Sequence, residues 1–271
     1  MKYILQEDET VLEALQKMAP DSSKTTLRSW LKDERIALDR QTVKIGSTPA
    51  LIGQMLTLGA KPQPGKINIV YQDSHIVAVE KPAGLLSVST HYENQKTIHS
   101  FLKEIHRPLP VYPVHRLDRE TSGVMLFALS EEARDNLKDL FEAHDIKRQY
   151  EALVEGHLEP NKGLWKSYLY EDNNYMVHST DEHQRGRKAI THFEVIATRK
   201  KTTHVTFTLE TGRKNQIRVH CQDAGHAVLG DKKYGPCSIP CKRLCLHATL
   251  LELRHPITGK WLSFRSASPF V

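Results

Sequence analysis

The residues His115-Arg116-Leu117-Asp118-Arg119-Glu120-Thr121-Ser122-Gly123 set one carboxylate between two guanidinium groups and end in a tight-turn tripeptide. A carboxylate drawn from water toward a core is unfavourable unless cations or hydrogen bonds hold it. Flanking arginines therefore suit an aspartate kept ionised, ready to act as nucleophile or base. The same spacing also fits a structural ion pair in a turn, and charge pattern alone leaves both readings open. Glu120 gives Asp118 an acidic neighbour, a pairing that glycoside-processing chemistry also uses, but the arginine flanks suit a polyanion better than a sugar. Directly after the loop, Val124-Met125-Leu126-Phe127-Ala128-Leu129 is a short apolar run bounded by turn signals, the pattern of a buried strand. Asp118 is thus expected on a loop feeding a strand of the core.

The elements that must carry this loop come from the rest of the chain. Its 271 residues suffice for one full-sized domain and a small one. Ala60-Lys61-Pro62-Gln63-Pro64-Gly65-Lys66 can neither continue a helix nor join a sheet interior, which predicts a linker over 60–66 between domains 1–59 and 67–271. Before it, Thr10–Met18 and Ser23–Leu31 carry apolar residues at helical spacing, and Arg35–Asp39 and Val43–Gly46 read as short strands. Beyond it, Val205–Glu210 alternates as a half-buried strand does, and Glu194–Thr198 reads similarly. A helix is predicted over 130–141 with a Ser130 start but no full capping box, and Asn215–Gly225 ends on a glycine suited to a helix C-terminus. The fold class is α+β, with a mixed, mainly antiparallel sheet in the larger domain. No dinucleotide or phosphate-loop glycine motif follows a strand.

The net charge is +6, and residues 1–60 hold eight basic and eight acidic side chains, so the whole surplus lies beyond residue 60 and favours a polyanionic partner there. Residues 181–188 form a polar loop whose basic side chains suit either phosphates or a solvated turn. The start of the chain has no signal-peptide pattern and no apolar run approaches the roughly 20 residues of a membrane span, so a cytoplasmic protein without membrane contact is expected. Four cysteines, Cys221, Cys237, Cys241 and Cys245, lack the pair-of-pairs zinc spacing and read as reduced thiols, with no metal site.

The string from His115 to Gly123 resembles the signature of the RluA-type RNA pseudouridine synthases, and further segments similar to that family stand in order along the chain: upstream 69–85 with its Lys-Pro-x-Gly turn, and downstream Lys147–Gly156, Gly212–His220, Leu246-His247-Ala248 and Leu253–Pro256. The resemblance covers residues 66 to 267 and implies isomerisation of uridine to pseudouridine in RNA. The ribose–nitrogen bond is broken, the uracil turns, and a carbon–carbon bond forms to the same ribose, with no redox change and so no cofactor. It implies Asp118 as the catalytic residue, Arg218 as its ion-pair partner and Tyr150 as a ring stacked on the target uracil. Arg116 is expected to enter the space left by the flipped-out base, His115 to hold the loop beside the substrate, and Ile217 and Leu246 to wall the pocket. At Lys214-Asn215 the chain departs from the usual Thr-His, a change read as adding a cation beside the cleft, with neither residue the expected partner of the carboxylate. The first sixty residues resemble the alpha-L RNA-binding module, which implies phosphate contacts from Arg28, Lys32 and Arg35. A monomer is expected, with structured RNA as its partner, large-subunit ribosomal RNA before transfer RNA. A non-catalytic RNA-binding or ribosome-assembly protein is the rival reading.

Overall fold

The computed structural model describes residues 1–32, 35–39, 41–59, 67–89, 97–235 and 239–270. The chain divides into two compact units, Met1–Lys66 and Ile67–Val271. The predicted linker, residues 60–66, lies outside the described residues, as does Cys237. Among the described residues no helix is long and apolar enough to cross a membrane.

The smaller unit runs β1 (Lys2–Ile4), β2 (Glu9–Thr10), α1 (Val11–Met18), α2 (Lys24–Lys32), β3 (Ile36–Leu38), β4 (Gln41–Thr42), β5 (Pro49–Ala50) and β6 (Met55–Leu58). Thr10 starts α1 with a capping box: its hydroxyl accepts from Glu13 N, and the Glu13 carboxylate accepts from Thr10 N at 2.8 Å. Val11, Ala14 and Leu15 then bury against Leu27 and Leu31 of α2 and against Ile36, Leu38 and Leu56 of the antiparallel sheet β1-β6-β3-β4. The strand predicted over Val43–Gly46 is instead the two-residue β4. Past Val43 the chain leaves the sheet, because the Gly46 carbonyl accepts the Leu12 amide at the start of α1 (2.9 Å).

The larger unit runs β7 (Asn68–Gln72), β8 (Ile76–Lys81), α3 (Ile98–Ile105), β9 (Tyr112–Pro113), β10 (Ser122–Ala128), α4 (Glu131–Glu142), β11 (Lys147–Glu155), β12 (Lys162–Glu171), β13 (Val177–Thr180), β14 (Arg187–Arg199), β15 (Thr202–Leu209), α5 (Gln216–Asp223), β16 (Leu246–Arg254) and β17 (Trp261–Arg265). Its sheet has the order β13-β12-β14-β15-β11-β16-β10-β8-β7, with β17 on β16 and β9 on β10. Among the described strands, β10 and β16 make the one parallel pair in an otherwise antiparallel sheet, which is the mixed α+β architecture the sequence implies.

β10 is an unbroken apolar run because both its faces are covered. Val124, Leu126 and Ala128 pack with Ala133 and Leu137 of α4, while Met125 and Phe127 pack with Ile98 and Leu102 of α3. Gly123, at the entry to β10, is required on two counts. Its φ is +118°, and a Cβ there would stand 2.2 Å from the Ala248 carbonyl oxygen of β16. That close approach sets the register Ser122↔His247 and Gly123↔Ala248. A buried polar chain holds the same junction: Arg243 donates to Ser122 Oγ (2.5 Å), which bonds His247 Nδ1 (2.7 Å), and His247 Nε2 bonds Ser266 Oγ (2.9 Å).

Candidate active site

Asp118 sits on the loop that enters β10, and the loop backbone is pinned on both sides of it. Ser87 Oγ accepts from Leu117 N (3.0 Å) and donates to Leu117 O (2.7 Å). On the other side the fully buried Lys81 ammonium donates to the carbonyls of Arg119 (2.9 Å), Leu85 (2.6 Å) and Pro82 (2.9 Å). Burial pulls the Lys81 ammonium down to about 7, against the opposing pull of Asp118 and Glu120. The Lys-Pro-x-Gly turn thus clamps the aspartate loop.

The partner of Asp118 comes from α5, a hundred residues on. Arg218 Nη1 donates to Asp118 Oδ2 at 3.1 Å. The stronger half of the guanidinium is spent elsewhere: Nε and Nη2 both donate at 2.7 Å to the two oxygens of Asp231, whose side chain is 1 % exposed. Burial opposes the charge on Arg218, but the hydrogen bonds and charges of Asp231 and Asp118 outweigh it and raise the guanidinium. Burial likewise opposes charge on Asp231, yet Arg218 and the backbone amides of Lys233 and Tyr234 hold its carboxyl below the usual range. Arg218 is therefore a bridge, anchored on a buried aspartate and offering its remaining edge to Asp118.

Asp118 accepts a second bond on the same oxygen. Asn215 Nδ2 donates to Asp118 Oδ2 at 2.5 Å. Neither Lys214 nor Asn215 is the expected partner of the carboxylate, and for Asn215 that expectation is corrected here. Lys214 pairs with Glu171 and lies 5.7 Å from the Tyr175 ring centre, so its cation is partly spent.

One pocket, about 380 Å³ including its open mouth, gathers Arg116, Asp118, Tyr150, Ile217, Arg218 and Leu246, together with Thr121, Leu209, Arg213, Asn215 and Gln216. Tyr150 reaches it from β11, where a bulge between Gln149 and Tyr150 shifts the pairing with β16 and turns the side chain. Burial raises the Tyr150 phenol, with Arg148 opposing and Asp118 reinforcing, so the ring is neutral. Gln216 fixes the start of α5, accepting from Thr211 Oγ1 and Arg213 N and donating to Ile190 O and Thr191 Oγ1.

One expected substrate contact lies elsewhere. His115 does not line this pocket: its Nε2 accepts from Leu126 N (2.9 Å) and its ring stacks on Phe141 at 4.8 Å. Burial, reinforced by Arg148, pulls it down to about 3, so it holds the loop as a neutral acceptor. In the smaller unit, Arg28 and Lys32 are exposed on α2, while Arg35 donates to the Gly59 carbonyl through Nε and Nη2 (3.3 and 3.2 Å) and lies over Trp30, so part of its guanidinium is engaged within the unit.

A larger groove shares Arg213 with the pocket and is lined by Tyr170, Arg185, Arg187 and Lys214. Arg187 and Lys188, expected in a polar loop, begin β14, while Arg185 stacks on Tyr170 at 4.3 Å. Asp231 and Tyr234 went unnoticed in sequence. The signal for them is a carboxylate and an aromatic ring enclosed by glycines in Gly230-Asp231-Lys232-Lys233-Tyr234-Gly235.

Comparison with known proteins agrees with this arrangement. Residues 75–223 match the family model described as RNA pseudouridylate synthase. The dual-specificity RNA pseudouridine synthase RluA of Pasteurella multocida is 41% identical over 213 residues, which is 77% of this chain and 96% of that protein. The ribosomal large subunit pseudouridine synthase D of Yersinia pestis is 29% identical over 288 aligned positions, 95% of this chain and 86% of that protein. In fold, the human RNA pseudouridylate synthase domain containing 1 superposes with a TM-score of 0.65 at 23% identity, over 77% of this chain and 87% of that one.

Proposed function

Because the chain belongs to the RNA pseudouridylate synthase family, we propose that it isomerises uridines of large-subunit ribosomal RNA to pseudouridine with Asp118 as its catalytic residue. The observation that carries this reading is the Asp118 carboxylate itself. It is tied on Oδ2 by Asn215 and Arg218, with no protein donor on Oδ1 among the described residues, at the wall of a pocket that also holds Tyr150. A base inside a stacked helix is out of reach, so the target nucleotide flips into this pocket at a cost of a few kcal/mol, with Tyr150 offering a neutral ring face and Arg116 at the rim to fill the gap. Ile217 and Leu246 supply apolar walls that keep water from the detached uracil. Asp118, hydrogen-bonded by Arg218, acts as nucleophile or base while the glycosidic nitrogen bond breaks and the carbon bond forms.

Two features favour ribosomal RNA over transfer RNA. The match to the large-subunit enzyme spans 95% of this chain and so includes most of the smaller unit, whereas the match to the dual-specificity enzyme spans 77%. Arg28 and Lys32 are exposed four residues apart on α2, where they suit a pair of phosphates. The test follows from the product: forming the carbon bond at C5 of uracil expels the C5 hydrogen. Ribosomal and transfer RNA transcripts carrying uridine tritiated at C5 should release tritium with wild-type protein, ribosomal RNA the faster, and should release none with Asp118→Asn. Equal release by Asp118→Asn would remove Asp118 from the chemistry, and release from transfer RNA alone would overturn the substrate assignment.

A further inference from the structure

Asn215 breaks a local rule. It stands at the N-cap of α5, where an asparagine ordinarily accepts a hydrogen bond from the first helical turn, yet its side chain makes no such bond. Its backbone takes the left-handed conformation, with φ +53° and ψ 19°, and the residue is 8 % exposed. Asparagine tolerates that conformation better than most residues, but a cap given up inside the protein calls for another use of the amide.

The neighbours of the amide fix which way it points. The Val177 backbone N–H can only donate, and it donates to the Tyr234 hydroxyl oxygen at 3.0 Å. The single hydroxyl proton of Tyr234 is then directed to Asn215 Oδ1 at 2.9 Å. The Lys233 ammonium, which also only donates, approaches the same Oδ1 at 3.5 Å. That end of the amide is therefore oxygen, and the other end, Nδ2, faces Asp118 Oδ2 as a donor. The direction of every bond follows from a main-chain amide whose role cannot reverse. Tyr234 is 2 % exposed, and its ring lies beneath the Arg218 guanidinium at 5.0 Å, so the same residue supports both donors to Asp118.

We propose that Asn215 is a positioning residue for the isomerisation, the last member of a Val177–Tyr234–Asn215 relay that locks the Asp118 carboxylate with Oδ2 engaged and Oδ1 turned to the substrate. The proposal rests on the reading of Asp118 as the reacting group. Arg218 alone, with one 3.1 Å bond from a single guanidinium nitrogen, leaves the carboxylate free to rotate about its own axis. Two donors converging on one oxygen remove that freedom, and a reacting atom displaced by even a small rotation loses much of its rate.

The test uses Asn215→Gly, which suits the left-handed backbone, Asn215→Asp, which keeps the shape but replaces the donor by an acceptor, and Tyr234→Phe, which keeps the ring under Arg218. Single-turnover rates and RNA affinities are read separately on the RNA that wild type modifies. Removing a hydrogen bond to a charged group lowers the rate of Asn215→Gly by about 10- to 100-fold with RNA affinity unchanged. Because both members act through one bond, the Asn215→Gly, Tyr234→Phe double variant is no slower than Asn215→Gly alone. Asn215→Asp, which places two carboxylates in contact, moves the acid limb of the pH–rate profile to higher pH. A rate within twofold of wild type for Asn215→Gly, or losses that multiply in the double variant, overturns the relay. The carboxyl carbon of Asp118, followed by NMR through a pH titration and assigned with Asp118→Asn, needs no substrate. Its midpoint rises in Asn215→Asp if the bond exists, and an unchanged midpoint refutes it. Should Asp118→Asn keep its activity, the reading of Asp118 fails by that result alone, while the NMR titration still decides the relay.

Discussion

Arg218 faces two aspartates, and the structure assigns them opposite duties, which a pair of isosteric substitutions separates. Asp231 accepts two 2.7 Å bonds from the guanidinium and two more from the backbone amides of Lys233 and Tyr234, with its side chain 1 % exposed. In Asp231→Asn the amide oxygen keeps the Oδ1 contacts, but an NH2 group then faces the Arg218 Nε–H, donor against donor. Arg218 is left 10 % exposed with Asp118 as its remaining counter-charge. Removing one partner of a buried ion pair costs about 3–5 kcal/mol. For a domain of this size that is a fall in Tm of roughly 6–20 °C. Asp118 is different: its side chain is 24 % exposed and both its donors, Arg218 and Asn215, converge on Oδ2, where an asparagine oxygen can still accept them, so Asp118→Asn costs less than Asp231→Asn. Thermal unfolding by circular dichroism, run beside the tritium-release assay, should show Asp231→Asn folded but strongly destabilised and Asp118→Asn near wild-type stability with no activity. If Asp118→Asn lost the larger share of stability, or Asp231→Asn melted with wild type, the assignment of Asp231 as the anchor of Arg218 would be wrong.

Further outcomes follow from other parts of the site. Tyr150→Phe keeps a neutral ring and should retain activity within about tenfold, whereas Tyr150→Ala loses a stacking surface worth about 1–3 kcal/mol per base, read as a 10- to 100-fold slower single turnover. Gly123→Ala sets a Cβ 2.2 Å from a β16 carbonyl at a φ of +118° and should abolish soluble expression or lower the Tm more than any pocket substitution. Burial pulls His115 down to about 3 and His220 to about 4, from an ordinary 6.5, so between these values the unfolded chain binds protons that the folded one refuses. These groups therefore make stability rise with pH and fall as pH drops through 6.5, by about 1.4 kcal/mol per pH unit for each histidine. Urea unfolding from about pH 6 down to about pH 4.5 should show that slope, reduced by one proton in His220→Asn. Arg28→Ala with Lys32→Ala should weaken RNA binding and lower its salt dependence by up to about two counterions, as read by filter binding.

The elements legible in the chain are those whose causes are local. β10 declares itself as an apolar run, α4 by Ser130, whose hydroxyl does accept the Ala133 amide, and α1 by Thr10 and its periodic apolar face. The pocket is a different matter. Asp118, Arg218 and Tyr150 stood out through the resemblance of their segments to a family, since nothing local tells a loop aspartate that it will meet an arginine a hundred residues away. Asp231 and Tyr234 are invisible for the same reason, and Asn215 shows only as a departure from the family pattern: their importance lies in bonds that exist after β10, α5 and the 231–234 turn have come together. His115 errs in the other direction. It is a polar residue at a suggestive position, but the fold uses it to accept the Leu126 amide. Val43–Gly46 reads as a strand by composition and is pulled away by the backbone bond of Gly46 to α1.

The most direct test of the central claim is a map of pseudouridines in total RNA by carbodiimide-dependent primer extension, in cells lacking this chain and rescued with wild type or with Asp118→Ala. Sites in large-subunit ribosomal RNA should vanish in the deletion, return with wild type and stay absent with Asp118→Ala. An unchanged map, or full restoration by Asp118→Ala, would contradict the account.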